Sequence, residues 1–412
     1  MLVFLQLLPL VFLLWPFNIG WFSSQILGLV LFFVLVLPFF NFYSLLKIRL
    51  PTFSIFWFCL YFIVLIISCL FSVYDSEVYK LIYYSIMMPF LFFVSFVYYD
   101  VLGKNTNFHF HKIFYTATPF IVFCLLEIIF PSFHRYINPY VMTDAAQIVL
   151  ENNASGNVFR FLGWNGFLFS DYSVALAFTA LGVLVFNVKT TIFSLFIEFS
   201  SIMLALIAGR SGLPIVFVYF LIAVFIKPSF FRLMLIFLLL SLGTVLILRL
   251  KGIDFFIWLF EPIYRLIEEG SFSSNSVAET GGQFSDFLSS VSFQDDGVFF
   301  GNGIYFSSND SYFEFNFVSG DSAIIRLYHS IGIFGTAFFL MIWLSMLIKL
   351  FFSTVLNHTS YKIYAVFFVF YGIVFFLKSE WLYQKFYIFI LFFLYHSIYS
   401  RYEKNYRRVS EE

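Results

Sequence analysis

The sequence predicts an all-α polytopic membrane protein with about twelve transmembrane helices and a large loop between helices 9 and 10. Its composition is 61% hydrophobic and only 11% charged, which lies far outside the range of soluble domains. Apolar runs of nearly bilayer-spanning length recur along the whole chain. The sequence does not show the alternating short segments of an outer-membrane barrel. We therefore expect helices, in which the backbone N–H and C=O groups bond to one another within the bilayer.

The predicted spans divide into nine before the large loop and three after it. Residues 1–248 hold the first nine, at 2–19, 25–46, 54–73, 81–97, 113–130, 161–186, 192–208, 213–226 and 233–248. Residues 323–400 hold the last three, at 323–352, 363–377 and 386–400. The eighth and eleventh are short, so tilted or re-entrant segments are alternatives there. The first apolar stretch lacks a basic start and a small-residue cleavage site, so we expect it to remain as a span.

The long polar segment at 249–322 is the most distinctive part of the chain. It is rich in acidic residues, Gly and Ser, and its many Phe and Tyr residues argue against disorder. Loops of this length in compact proteins are usually functional, so we expect a folded cap over one membrane face. The short connection at 104–112 and the tail segment at 401–408 are basic, which predicts that both termini, including the tail at 401–412, are cytoplasmic. The loops at 131–160 and 249–322 then both face outward.

Several kinds of function are disfavoured by the sequence. The cysteines Cys59, Cys69 and Cys124 lie in predicted spans without metal-ligand spacing, and we expect them to be small buried apolar side chains. The histidines are scattered and form no metal motif. No phosphate-binding or dinucleotide-binding loop is present, which disfavours a nucleotide-driven pump. The formal net charge is zero, so nothing indicates a nucleic-acid partner.

Arginine is the unusual residue on the outward side. Arg160 begins the sixth span, Arg210 lies in a Gly-Arg-Ser-Gly turn, Arg265 is early in the large loop, and Arg326 lies one turn inside the tenth span. The guanidinium fork suits phosphate groups and stays charged when partly buried. For Arg160, snorkelling to the headgroups is an equal alternative. For Arg210 we favour function, because its turn is too short to leave the membrane surface, and Gly209 and Gly212 would allow close backbone packing.

The start of the tenth span carries further candidates. Arg326 and His329 are three residues apart and share a helix face. Gly332 and Gly335 extend that face and favour close helix packing. Asp321 is either the N-cap of this helix or a catalytic carboxylate. His329 lies about 12 Å along the helix from Asp321, and a buried structural role is favoured for it.

Three acidic residues fall within predicted spans, where ionisable groups suggest function. Glu127 is near the outer end of its span and could pair with an outer arginine. Asp171 lies about three turns after Arg160. Glu198 lies deeper and could pair with Asp171 through a proton, or with a hydroxyl group. Structural pairing is the alternative for all three, and it is preferred for Glu198.

Four local patterns, in this order, resemble those of bacterial O-antigen polymerases of the Wzy type, which are distantly related to O-antigen ligases. The patterns are Arg160-Phe161-Leu162-Gly163 followed by Asp171-Tyr172-Ser173, then Gly209-Arg210-Ser211-Gly212, Gly297 to Gly303, and Asp321 to Gly335. The span number and the large outer loop also fit. The chain departs at Gly209, where Ser is commoner. It has Asp321 where ligases tend to place a His next to Asn, which favours polymerase over ligase but leaves the general base open.

The resemblance implies a membrane glycosyltransferase of lipopolysaccharide biosynthesis in the bacterial inner membrane, with both long loops periplasmic. A glycan on undecaprenyl pyrophosphate would be the donor and a lipid-linked repeat unit the acceptor, without metal, nucleotide or other cofactor. Arg160, Arg210, Arg265 and Arg326 would bind the pyrophosphate. Asp321 would be the leading general base and Asp171 the alternative. Aromatic residues of the large loop would stack on sugars: Phe284, Phe287, Phe293, Tyr305, Tyr312 and Phe313. A chain-length regulator and a flippase would be expected partners.

Two other functions stay open at this point. A flippase or transporter for lipid-linked oligosaccharides would also have about twelve spans, and its arginines could hold the same pyrophosphate. Against it, the two halves show no similarity, and one large asymmetric loop does not suit two rocking halves. The sister O-antigen ligase, which transfers glycan to the lipid A core, is the third possibility. The sugars and linkage cannot be read from the sequence.

Overall fold

The computed structural model is almost entirely helical over the residues that it describes. These are residues 2–16, 18–19, 22–47, 52–71, 78–103, 110–130, 170–187, 190–226, 298–301, 323–352, 359–377, 382 and 384–397. The extended structure among these residues is a two-residue antiparallel ladder, in which β1 (Asn18–Ile19) pairs with β2 (Phe22–Ser23). The all-α prediction is therefore confirmed. The ninth predicted span, the tail at 401–412 and most of the two long loops lie outside the described residues.

Contacts divide the chain into two compact units. The first comprises Met1–Phe42 and Val97–Tyr264, and the second comprises Tyr43–Phe96 and Arg265–Glu412.

The first unit contains most of the shorter helices. Its described α-helices are α1 (Leu2–Leu14), α2 (Ser24–Leu35), α5 (Thr118–Ile129), α6 (Ser170–Phe186), α7 (Ile192–Ala208) and α8 (Leu213–Leu221). A 3₁₀ helix, Phe110–Ala117, leads into α5, and a π-helix, Ile222–Ile226, follows α8. The helix α6 packs on α7, on α8 and on the 3₁₀ helix before α5. Almost every residue of α6 from Ser173 onward is buried, so this helix forms the centre of the unit.

Two of the predicted spans end early, each close to a proline. The first span was predicted over 2–19, but α1 runs through Pro9 and ends at Leu14, two residues before Pro16, which has no backbone amide to donate. The second was predicted over 25–46. It is helical only to Leu35, and two 3₁₀ segments follow it at Leu37–Phe39 and Phe42–Lys47, the first of them containing Pro38.

The helix α7 matches its predicted bounds because both of its ends carry local signals. Thr191 is the N-cap, and its hydroxyl accepts the amide of Ser194 at 3.1 Å. In return, the amide of Thr191 donates to the Ser194 hydroxyl at 2.9 Å, which completes a capping box. At the other end, Gly209 follows the last helical residue in an extended conformation.

The second unit is built on long helices. It includes α3 (Thr52–Phe71), the part of α4 (Val78–Gly103) up to Phe96, α9 (Ala323–Phe351), α10 (Thr359–Phe376) and α11 (Lys385–Ser397). The helix α9 packs on α3 and α10.

Serine hydroxyl groups join α3 to α9 at both ends of their contact. Ser54 Oγ lies 2.6 Å from Ser345 Oγ. The hydroxyl of Ser68, about four helical turns further along α3, donates to the carbonyl of Ser330, which lies earlier in α9 than Ser345. The two helices therefore run antiparallel. Small hydroxyl side chains of this kind are common where helices pack in a membrane, because they allow close approach and hydrogen bonding across the interface.

Three of the described helices are long and apolar enough to cross a membrane: Thr52–Leu70, Leu81–Leu102 and Ala323–Phe351. Their outward faces carry large apolar side chains, such as Ile63 and Leu70, which is 77% exposed. Such faces suit contact with lipid and not with water.

One expectation about the cysteines is wrong in part. Cys124 is buried, but Cys59 is exposed on the same α3 surface, where an apolar thiol is equally suited to lipid.

Candidate functional site

The first candidate site is the start of α6, which docks against the turn between α7 and α8. Asp171 and Ser173 lie in the first turns of α6. A carboxylate there is favourable because the amino end of a helix carries partial positive charge. Asp171 is half-buried, and Ser173 is completely buried.

Ser173 is hydrogen-bonded to backbone groups on both sides of Arg210. Its hydroxyl oxygen lies 2.7 Å from the carbonyl oxygen of Ala205 and 2.7 Å from that of Gly209. The same oxygen accepts the amide of Gly212 at 2.9 Å. A hydroxyl has one proton and two lone pairs, so the single proton is shared between the carbonyl of Ala205, in the last turn of α7, and that of Gly209, just after it. One side chain thus binds the whole Gly209–Gly212 turn.

Gly212 is needed where it stands because the backbones approach closely. A Cβ atom at this position would lie 2.6 Å from both the carbonyl oxygen and the hydroxyl oxygen of Ser173. The prediction that glycine allows close packing around Arg210 is confirmed for Gly212. Arg210 itself begins a 3₁₀ turn, Arg210–Gly212, and only its backbone is among the described atoms.

An aromatic stack supports the start of α6 from the other side. Phe120 stacks on both Trp15 and Tyr172, with ring centroids 5.1 Å and 5.2 Å away and interplanar angles of 20° and 23°. Trp15 and Tyr172 also contact each other, with centroids 6.2 Å apart. Trp15 follows α1 and is buried, and Phe120 is in the first turn of α5. The stack ties Tyr172, the neighbour of both Asp171 and Ser173, to two other helices.

The second candidate site is an interruption of α9 at Gly332. The φ and ψ angles of this residue are 67° and −171°, a conformation that is essentially restricted to glycine. The amides after the interruption are bound by another segment: Ile333 donates to the carbonyl of Val298 at 2.8 Å, and Phe334 donates to that of Phe299 at 3.3 Å. The predicted continuous face from Arg326 through Gly332 to Gly335 is therefore wrong, because the helix is broken between its two halves.

Gly301 completes this interlock. Its φ is 76°, and a Cβ atom there would overlap the backbone of Ser330 and Ile331. Phe299 also stacks on Phe334, with ring centroids 5.4 Å apart. The short segment at 298–301 therefore fits directly against the break in α9.

The amino-terminal half of α9 carries the other candidates. Arg326 and His329 are both half-buried, one helical turn apart, so the predicted shared face holds for this pair. The carbonyl of Arg326 accepts the hydroxyl of Ser330 at 2.8 Å. The ring of His329 contacts that of Tyr328, with centroids 5.6 Å apart.

Glu198 is paired with a hydroxyl, which is one of the two alternatives predicted for it. Its side chain is completely buried in α7, and the hydroxyl of Tyr219 in α8 donates to its Oε2 at 2.8 Å. This bond joins two neighbouring helices and fits the preferred structural role.

Several predicted site residues lie outside the described part of the chain. They are Arg160, Arg265 and Asp321, the side chains of Arg210 and Glu127, and the six aromatic residues of the large loop. Within the described residues, no group of three or more His, Cys, Asp or Glu could hold a metal ion.

The sequence prediction assigned no role to several hydroxyl residues that bond to other helices. Ser173, Ser68 and Tyr219 are examples, since each donates to a group on another helix. The available signal was a hydroxyl side chain inside an apolar span, where a hydrogen-bond partner is needed. That signal identifies the donor, but it does not identify the partner.

Comparisons of the chain with protein-family profiles, with curated proteins and with solved structures found no match.

Proposed function

We propose that this chain is an O-antigen polymerase, a membrane glycosyltransferase that joins undecaprenyl-pyrophosphate-linked oligosaccharide repeat units at the periplasmic face. One observation carries the proposal. The sequence patterns that resemble the polymerases meet in pairs: residues 171–173 bind the turn at 209–212, and residues 298–301 fit the break at 330–334. Each of these patterns is far in sequence from the one that it contacts. Such contacts are expected if the patterns occur together because the fold requires them.

The chemistry follows from the two lipid-linked substrates. The hydroxyl oxygen of the acceptor sugar attacks the anomeric carbon of the donor glycan, and the bond from that carbon to the pyrophosphate oxygen breaks. The proton of the hydroxyl passes to a carboxylate, with Asp321 as the first candidate and Asp171 as the second. The leaving group is undecaprenyl pyrophosphate. No oxidant, nucleotide or cofactor is needed, because the activated donor supplies the driving force.

Arginine side chains stabilise the charge that develops on the leaving pyrophosphate. We assign this role to Arg160, Arg210, Arg265 and Arg326, because a guanidinium presents paired donors that match phosphate oxygens. The binding of the turn by Ser173 supports the choice of Arg210, since preorganised donors stabilise a transition state most effectively.

The proposed architecture is a multi-pass protein of the bacterial inner membrane with about twelve spans and both termini cytoplasmic. The antiparallel arrangement of α3 and α9 supports it, because the third and tenth predicted spans must run in opposite directions. Reporter fusions test the orientation. A fusion after Ser274 should report a periplasmic location, and one after Arg408 a cytoplasmic location. The reverse result at either position contradicts the proposed topology.

A flippase for the same lipid-linked oligosaccharide is the second candidate, and the break in α9 is the observation that favours it. Interrupted membrane helices often form substrate sites in transporters. In this chain, however, the amides after the break are already bound by the carbonyls of Val298 and Phe299. Those amides are therefore not open to an anionic ligand, and the polymerase remains the better-supported function.

The lipopolysaccharide of a deletion strain separates a polymerase from the other two candidate functions. Loss of a polymerase leaves core carrying a single repeat unit, whereas loss of a ligase leaves bare core. Loss of a flippase also leaves bare core, because no repeat unit reaches the periplasmic face. A single-repeat band that becomes a full ladder when the gene is restored supports the proposal, and bare core contradicts it. The partners expected in the cell are a chain-length regulator and a flippase.

A further inference from the structure

We propose that Ser173 is a positioning residue that fixes the backbone of Arg210, so that the guanidinium is held ready for a pyrophosphate group. The inference rests on the proposed function for its ligand. Its geometry is independent of that function, because it consists of hydrogen bonds between the Ser173 hydroxyl and buried backbone groups.

Two of the backbone groups that bond to the Ser173 hydroxyl lie on either side of Arg210 in the sequence. The carbonyl of Gly209 belongs to the peptide group directly before Arg210, and the amide of Gly212 lies two residues after it. Both are bound by the same hydroxyl oxygen, at 2.7 Å and 2.9 Å. Rotation of either peptide group would break one of these bonds, so the hydroxyl restricts the backbone on both sides of the arginine.

Ser173 differs from a hydroxyl residue that bonds within its own helix. In the same helix, the Thr179 hydroxyl donates to the carbonyl of Ala175, four residues earlier, at 2.8 Å. Such a bond satisfies the hydroxyl locally. The hydrogen bonds of the Ser173 hydroxyl instead go to the end of α7 and to the turn after it.

The region around Ser173 is closely packed. The residue is completely buried, and its neighbour Tyr172 is stacked on Phe120, which in turn is stacked on Trp15. Gly212 brings the turn close enough for the hydroxyl to reach it, because any side chain there would collide with Ser173. Close packing around the residue and a close approach of the turn are what a positioning residue requires, since a displacement of about 1 Å can reduce a reaction rate about 100-fold.

The first experiment measures function in full-length protein. Ser173→Ala removes the hydroxyl and is expected to lower polymer synthesis by about 10- to 100-fold at equal protein level. Thr179→Val is the matched control, because it removes a buried hydroxyl from the same helix, and it should retain polymer synthesis. Wild-type synthesis by Ser173→Ala, or an equal loss in Thr179→Val, would overturn the proposal.

The second experiment does not depend on enzymatic activity. In a background with Cys59, Cys69 and Cys124 replaced by alanine, a cysteine introduced as Ser211→Cys is labelled with a maleimide reagent. Ser173→Ala should change the labelling rate at least about threefold, because the turn loses its anchor, whereas Thr179→Val should leave it unchanged. An unchanged rate in the Ser173→Ala protein overturns the inference.

The two experiments separate the inference from the function on which it rests. If wild-type protein makes no polymer, the proposed function fails, and the labelling result alone decides whether Ser173 anchors the turn. If Ser173→Ala does not accumulate, Ser173→Cys replaces it in the synthesis experiment, since a thiol is a weaker donor and acceptor of similar size. That variant should show an intermediate loss of polymer, and wild-type synthesis would contradict the proposal.

Discussion

Substitution of the glycine at the break in α9 should destabilise the protein strongly. Gly332→Ala places a Cβ atom on a residue whose φ is 67° and ψ is −171°. A non-glycine residue in this region costs about 1–3 kcal/mol. The new methyl group would also overlap the backbone of Phe299, and forced overpacking costs about 1–3 kcal/mol more. The two contributions together give about 4 kcal/mol.

This loss is large compared with the stability of a typical folded protein, which is about 5–15 kcal/mol. It should appear as a lower melting temperature of the detergent-solubilised protein, followed by the loss of the monodisperse peak in gel filtration after heating. At about 2 °C per kcal/mol, the expected decrease is about 8 °C. The amides of Ile333 and Phe334 would also lose their partners, so accumulation in the membrane should fall.

Gly335→Ala is the matched control in the same helix. A Cβ atom at Gly335 would lie 2.6 Å from side-chain atoms of Ile331, which can shift more easily than a backbone. Its melting temperature should therefore fall much less than that of Gly332→Ala. Equal melting temperatures for wild type and Gly332→Ala would refute the described conformation at Gly332. So would a larger decrease for Gly335→Ala than for Gly332→Ala.

Three further predictions concern Tyr219, Arg210 and Asp321. Tyr219→Phe removes the donor to the buried carboxylate of Glu198 and should cost about 1–3 kcal/mol of stability. Tyr387→Phe, which removes a hydroxyl that donates across 3.4 Å, should cost less in the same melting assay. Arg210→Lys and Arg210→Ala should both abolish long polymer at normal protein level, because a point charge lacks the paired donors of a guanidinium. Normal polymer in both variants would remove Arg210 from the site. Asp321→Asn keeps a good N-cap but removes the base, so we expect normal insertion with only single repeats. Wild-type polymer from this variant, with low protein level in Asp321→Ala, would identify a cap instead.

Helices with local signals could be predicted from the sequence. The apolar run of α7 begins after a Thr-x-x-Ser capping box and ends at Gly209, so its bounds follow from nearby residues alone. The early ends of α1 and α2 were also available from Pro16 and Pro38, but the hydrophobic pattern continues past both prolines. In lipid-facing segments that pattern is nearly uniform, so it indicates a span without showing where the helix stops.

The break at Gly332 could not be predicted from the sequence. A glycine in a membrane helix usually indicates close packing with another helix, and the spacing of Gly332 and Gly335 fits that interpretation. Positive φ at Gly332 instead depends on the segment at 298–301, whose carbonyl groups replace the lost helical bonds. A tertiary partner thus decides the local conformation.

In the candidate site, too, the residue types could be predicted from the sequence but their contacts could not. The choice of Arg210, Asp171 and the glycines came from residue type and order, which the sequence displays directly. The role of Ser173 depends on hydrogen bonds to residues more than thirty positions away, and nothing in its immediate neighbours specifies them. The sequence therefore does not show which residues of different helices form hydrogen bonds with each other.

The most direct test of the proposed polymerase uses purified full-length protein in proteoliposomes with undecaprenyl-pyrophosphate-linked single repeat units. The proposal predicts lipid-linked products that grow by whole repeats, with release of one undecaprenyl pyrophosphate for each new linkage. Arg210→Ala protein should give neither the longer products nor the release. Repeat units that cross the bilayer without being joined, or that are joined only when lipid A core is added, would contradict the proposed function.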